Sequence, residues 1–346
     1  MVALTCGMPS NPLPTDFIQR IHLAEERLRA VVNATPLLEF ASLNQRVGGR
    51  VLLKPENLQR AGSFKIRGAY NAIAALPAAN RQRGVIAWSS GNHAQGVALA
   101  AALFEVPATI VMPSDAPRVK REAVVALGAE IVAYDRYSED REAIAKALAR
   151  ERQCPLIPSY DHWDVIAGQG SIGLEIMRDP ALQGRAPDQV FVCCGGGGLA
   201  AGIATAVHES APKVSVFAVE PDVADDTRRS LKAGKRLSNP AATASICDAL
   251  LTPTPGRLTF PVNQRELSGV LTVSDEAALR AVGYAAAELR LIVEPGGAVA
   301  LAAALGNTDL CANKTTVVTL SGGNIDSALL AKAITAQRGE SSGRSD

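Results

Sequence analysis

Short apolar runs alternate along this chain with longer segments in which apolar residues recur every three or four positions. Val85–Trp88, Thr109–Pro113, Ile131–Tyr134, Val190–Cys193, Val214–Val219 and Thr315–Leu320 are apolar stretches closed by polar or turn-forming residues, the pattern of strands buried on both faces. Arg50–Asn57 reads as a further strand entering a Pro-Asn turn. Helical spacing marks 64–76, 97–103, 118–127, 140–150 and an alanine-rich 200–209, with Ser63 placed to cap the first. Strand-helix repetition predicts parallel sheets covered by helices. Because it resumes after residue 160, the expected fold class is α/β, with two open, twisted, mostly parallel sheets flanked by helices. The expected division is a large domain formed by 1–74 and 161–346, with a small domain, 75–160, inserted in it. A cleft between two such sheets is the expected ligand site.

Composition narrows the partners. Lys plus Arg number 35 against 34 Asp plus Glu, so no net field recruits nucleic acid or an acidic membrane, and a small molecule or a second subunit is expected. The first residues lack a basic segment followed by an apolar core, and no 18-residue apolar span occurs, which argues against secretion and membrane insertion. Six cysteines without metal-type spacing or a disulfide framework fit a reducing cytoplasm. The stretch from Gln337 is rich in Gly, Ser and charge, so a disordered tail is expected there.

Candidate chemistry gathers where strands end. Lys65 stands in the first turn of a helix, where the partial charge disfavours an ammonium and suits a Schiff-base lysine; taken alone it reads more readily as a solvated surface residue. Gly195, Gly196, Gly197, Gly198 and Leu199 follow a strand and open a helix, a place suited to a phosphate, and four glycines exceed what a tight turn needs. The spacing is that of neither a P-loop nor a dinucleotide fingerprint. Ser89, Ser90, Gly91, Asn92 and His93 similarly end a strand, and their amides and hydroxyls suit a carboxylate. Ser321, in the loop after 315–320, can meet a heterocyclic nitrogen or merely stabilise a turn. Glu294 precedes a Pro-Gly-Gly turn, with helix capping the competing reading. Glu220, the Ala224 carbonyl and Asp226 could form an oxygen site for a divalent cation such as Mg²⁺, or a solvated acidic loop.

In order, Ser63–Ala69, Ser89–His93, Val165–Ser171, Gly195–Leu199, Val219–Pro221, Glu294–Ala298 and Ser321–Asn324 resemble the motifs of the fold-type II pyridoxal-phosphate enzymes, in the serine/threonine dehydratase and serine racemase group. The resemblance runs from about Ile21 to Leu330 and implies a tryptophan synthase β-like fold with pyridoxal 5'-phosphate as cofactor. It implies Lys65 as the Schiff-base lysine and catalytic base, and Phe64 beside the cofactor ring. Asn92 would meet the ring hydroxyl, Gly195 to Leu199 the phosphate, and Ser321 the ring nitrogen, with Glu294 on the cofactor side. The Ser89–His93 loop would hold the substrate carboxylate, Ser90 would be the second base that racemases use, and Glu220, Ala224 and Asp226 would hold a divalent cation. The implied reaction is dehydration and deamination of a β-hydroxy amino acid such as threonine, serine or 3-hydroxyaspartate to a 2-oxo acid and ammonia. Amino-acid racemisation and, further off, β-replacement are the alternatives within the family; a nucleotide-binding regulatory protein is the alternative outside it. A homodimer is implied by the resemblance alone.

Departures from the family pattern bear on substrate. Ile157–Trp163 lacks the His-Pro stretch usual before Val165, and Ala249 stands where a glycine is common. Arg141 aligns with an arginine that the racemases place near the substrate, and it suits a second carboxylate as readily as it suits solvent.

Overall fold

In the computed structural model, which describes residues 14–342, two sheets are formed from β1 (Leu38–Glu39), β2 (Arg50–Lys54), β3 (Val85–Trp88), β4 (Ala108–Pro113), β5 (Glu130–Tyr134), β6 (Gln189–Cys193), β7 (Ser215–Pro221), β8 (Gly269–Val273) and β9 (Thr315–Thr319). The larger sheet runs β1-β2-β9-β6-β7-β8 and the smaller β3-β4-β5. Every pairing is parallel except β1 with β2. Parallel strands carry helices on both faces, which is why β4 and β6 are buried along their whole length. The strands of the smaller sheet fall between β2 and β6 in the chain.

Trp163–Arg178 is a helix that packs between helices Lys65–Ala75 and Gly198–Ser210. Glycines permit the crossings: a Cβ on Gly168 would stand 2.6 Å from the Arg67 carbonyl oxygen, and one on Gly202 would stand 2.5 Å from that of Ile166. Those same glycines weaken the helical signal of Val165–Ser171 in the sequence. The short edge strands β1 and β8 also escape the periodic reading.

Two expected boundaries change. Ser63 does not cap its helix: Phe64 occupies the cap position and the helix begins at Lys65. Ser63 is instead extended in a bridge with Gly322, which leaves its hydroxyl buried without a hydrogen-bond partner. Asp140, expected as the first helical residue, is the cap of Arg141–Arg152, its carboxylate accepting from the amides of Glu142 and Ala143. The last helix, Ser327–Ser342, extends into the stretch expected to be a tail, and residues 343–346 lie outside the described residues. The described cysteines are all free; Cys6 lies outside them. No described helix is long and apolar enough to cross a membrane.

A buried charge cluster holds the helix Lys65–Ala75 in place. Arg67, fully buried, donates to Glu56 at 2.8 Å through Nε and again through Nη2, to Glu175 at 2.6 and 2.9 Å, and to the Ser171 hydroxyl at 3.1 Å. Lys54 Nζ completes it, 2.5 Å from Glu175 and 2.7 Å from the Thr35 carbonyl oxygen. Burial works against the guanidinium's charge, yet Glu56 and Glu175 more than offset it and raise its pKa. Arg67→Met leaves Glu56 buried without its cation and Glu175 with Lys54 alone, so unfolding in urea should show a loss of about 3–5 kcal/mol; a loss within 1 kcal/mol would show the cluster to be dispensable.

Candidate active site

The loops that follow β3, β6 and β9 leave their sheets at the C-terminal ends of parallel strands, where ligands collect in such folds. Backbone contacts tie two of them to Lys65. The Phe64 amide donates to the Ser321 carbonyl at 3.2 Å, and Gly96, on the helix Asn92–Leu103, lies against the Lys65 backbone so closely that a Cβ there would be 3.0 Å from the Lys65 carbonyl carbon. Lys65 Nζ points to the Ser159 carbonyl oxygen, 2.8 Å away, and stands 5.1 Å from the centroid of the Phe64 ring.

Burial pushes the Lys65 amine down to about 8, opposed only partly by the negative charge of Glu294. Glu294 is itself pushed up to about 7 by burial, against the hydrogen bond it accepts from Asn92 Nδ2 at 2.5 Å. Asn92 Oδ1 in turn accepts from Asn324 Nδ2 at 2.7 Å. His93 is buried and its Nε2 bonds the Ile157 carbonyl at 2.8 Å; burial, with Lys65 adding to it, drives its pKa to about 3, so the imidazole is neutral and donates. Its side chain is thereby committed to the fold, while Ser89, Ser90 and Gly91 stay half-exposed. Ser89 Oγ accepts from the Gly91 amide at 3.1 Å, and the Ser90 hydroxyl has no partner among the described residues. Ser321 is buried beside the Cys193 thiol.

The glycine loop turns its carbonyls into the protein. Gly196 O accepts from Thr259 Oγ1 at 2.6 Å and from the Gly256 amide at 3.2 Å, and Gly197 O from Asn263 Nδ2 at 3.2 Å. Among the described residues, no backbone or side-chain acceptor outside the loop's own helix engages the amides of Gly195 to Leu199. Gly197 needs its residue type for a φ of 88°, and Gly196 because the Tyr160 ring lies flush against it. Free amides at a helix start, a desolvated lysine and the orphaned Ser63 hydroxyl fit a phosphorylated carbonyl cofactor.

Other expected residues lie further out. Glu220 and Asp226 are fully buried. Burial first, and then the charge of Asp226, push Glu220 up to about 8; burial pushes Asp226 up to about 6. Glu220 accepts from the amides of Thr227 and Arg228 at 3.0 Å, and Asp226 Oδ1 from Asn239 at 2.7 Å, while Asp226 Oδ2 is buried without a partner. Ala224 lies between them in a short turn. Among the described residues no three His, Cys, Asp or Glu side chains converge on one point. Arg141 is exposed at the first turn of its helix, and its charge reaches the Tyr160 phenol, as does that of Arg236. Residue-type reasoning misses Ser159, Tyr160 and Asn324; the departure from pattern at 157–163 is the available signal for the first two. Two surface hollows on the small-sheet side, around Arg83 and Arg152 and around Arg118 and Arg121, include none of these residues.

Comparison with known proteins bears on family and fold. The family model described as pyridoxal-phosphate dependent enzyme matches residues 28–322. L-threo-3-hydroxyaspartate ammonia-lyase of Saccharomyces cerevisiae is 42% identical over 88% of this chain and 91% of its own length. Serine racemase of Schizosaccharomyces pombe is 38% identical over 88% and 92%. Among solved structures, the processed form of threonine deaminase isoform 2 from Solanum lycopersicum superposes with a TM-score of 0.87 at 34% identity, over 95% of this chain and 95% of that one. With its sheets, strand-end loops and buried lysine arranged as described, the chain belongs to the pyridoxal-phosphate-dependent enzymes, in the branch that holds the serine/threonine dehydratases and serine racemases.

Proposed function

We propose that this protein eliminates water from a β-hydroxy amino acid, with 3-hydroxyaspartate the first candidate and threonine and serine next, to release an enamine that tautomerises and takes up water again to yield a 2-oxo acid and ammonia. The observation that carries the reading is the Lys65 amine, desolvated and held at about 8 against the Ser159 carbonyl. An amine of that pKa is neutral often enough near pH 7 to take a proton from the substrate's α-carbon. Pyridoxal phosphate, when bound, supplies the electron sink that acidifies that proton. The free amides of Gly195 to Leu199 suit its phosphate, Asn92 its ring oxygen, Ser321 its ring nitrogen and Phe64 the ring edge. Ser89, Ser90, Gly91 and the amides of Asn92 and His93 suit the substrate carboxylate. Arg141, near the Tyr160 phenol, is the candidate for a second carboxylate, which favours 3-hydroxyaspartate, the substrate in the name of the yeast relative. Racemisation is the second reading, favoured by the unengaged Ser90 hydroxyl.

Glu220, Asp226 and the Ala224 carbonyl are the candidate divalent-cation site, on the strength of the unpartnered Asp226 oxygen and two buried acids, of which Asp226 adds to the cost of ionising Glu220. Both acids bind protons more tightly folded than unfolded. Without a cation, stability therefore falls as pH rises from the ordinary carboxylate range through about 8.

Lys65→Ala should abolish the visible cofactor band and lower turnover about 10³-fold or more; full activity in that variant would end the proposal. In the parent, capture of pyridoxal phosphate by the apo-protein should quicken with pH and level off above about 8, because the neutral amine is the nucleophile. Assays of 2-oxo acid release from 3-hydroxyaspartate, threonine and serine, with chiral analysis of residual substrate, separate elimination from racemisation. Arg141→Met should lower kcat/KM for 3-hydroxyaspartate about tenfold and leave serine within about twofold; an equal fall for both would remove the second-carboxylate role. Mg²⁺ should raise the melting temperature and chelation lower it, more at pH 8 than at pH 6. An identical melting curve with and without chelator at pH 8 would leave the acids as a purely structural pair.

A further inference from the structure

Asn324 is the residue whose place in the site has no account in the sequence. It closes the loop after β9, and its side-chain oxygen fills the space that Gly62, at φ 68°, leaves by having no Cβ. Both of its amide donors are spent, on the Ala61 carbonyl at 2.9 Å and on Asn92 Oδ1 at 2.7 Å. The Ala61 partner has a fixed polarity, since a main-chain carbonyl only accepts. Were the Asn324 amide turned over, its oxygen would face two other oxygens. Its orientation is therefore set, and it sets that of Asn92: the Asn92 oxygen faces Asn324, and its nitrogen faces Glu294 Oε1 at 2.5 Å. Asn92 Nδ2 has two hydrogens, one committed to Glu294 and one without a partner among the described residues.

We infer that Asn324 is a positioning residue: it transmits the polarity of the Ala61 carbonyl to Asn92, so that the remaining Asn92 N–H is presented to the cofactor's ring oxygen. The inference rests on the proposed pairing of Asn92 with that oxygen. Asn324 also ties the loop that leads into Lys65 to the helix that carries Asn92, so the two groups on either side of the ring are set by one side chain.

The test uses the full-length protein and pyridoxal phosphate, with two readouts: the cofactor dissociation constant and the pH midpoint of its visible band. Asn324→Ala should weaken cofactor binding about two- to tenfold, the range of one neutral hydrogen bond. Asn324→Asp keeps the shape but has no donor, so it should turn the Asn92 amide over and weaken binding more than alanine does. A space-filling role alone demands the reverse order, with aspartate the milder change. Both variants should move the band's midpoint in the same direction as Asn92→Ala, and Asn324→Asp should have no further effect on either readout once Asn92 is alanine. If Asn92→Ala weakens binding and shifts the midpoint while Asn324→Asp does neither, or if the two effects simply add, the positioning role is overturned. If Asn92→Ala itself moves neither readout, the pairing of Asn92 with the ring oxygen is what fails.

Discussion

A fully buried arginine two residues beyond the lysine anchors the whole site. Lys65 and Arg67 lie about 200° apart around their helix, so one reaches the cleft while the other reaches back into the protein. Behind the helix, Glu56, Glu175, Ser171 and Lys54 converge from the end of β2, the turn after it and the helix Trp163–Arg178. A charge this deep has no water to fall back on, so its partners must be met in one geometry. That requirement fixes the rotation of the helix and with it the direction in which Lys65 points. The glycines of Trp163–Arg178 serve the same end, since only a residue without a Cβ lets the two backbones approach closely enough for Arg67 to reach Ser171 and Glu175.

On the cleft side the polar groups form one connected chain. It runs from the Ala61 carbonyl through Asn324 and Asn92 to Glu294, whose negative charge opposes the desolvation of Lys65. The members come from the loop before Lys65, the loop after β9 and the starts of two helices. Closing this chain brings the ends of strands from both sheets to one place. The low pKa of Lys65 is a property of that enclosure: burial is its largest cause, whereas the sequence suggests the partial charge of a helix end.

At the four glycines the fold replaces the reason behind an expectation. Their number exceeds the need of a turn, and from the sequence that excess points to an anion. In the fold, Gly196 is required by the Tyr160 ring and Gly197 by its backbone angle. Anion binding is supported instead by the inward-turned carbonyls, which leave the amides of the loop free. Tyr160 itself belongs to the 157–163 segment, whose departure from the family pattern is visible in the sequence while the contact of its ring with Gly196 is not.

Order and spacing along the chain determined the four inner strands of the larger sheet and the three of the smaller, the parallel architecture and the loops that carry Lys65, Asn92, Gly195–Leu199 and Ser321, because apolar periodicity and turn chemistry are local properties. The helix Trp163–Arg178 is obscured in the sequence because its glycines look like breaks until the neighbours they admit are known. Ser63 looks like a cap because its true partner, Gly322, lies more than 250 residues along the chain. Which carbonyl receives the Lys65 amine, which way the Asn92 amide faces and why Arg67 tolerates burial were decided only by the tertiary structure. Each depends on groups brought together from distant segments, and burial and hydrogen-bond polarity exist only once those groups have met.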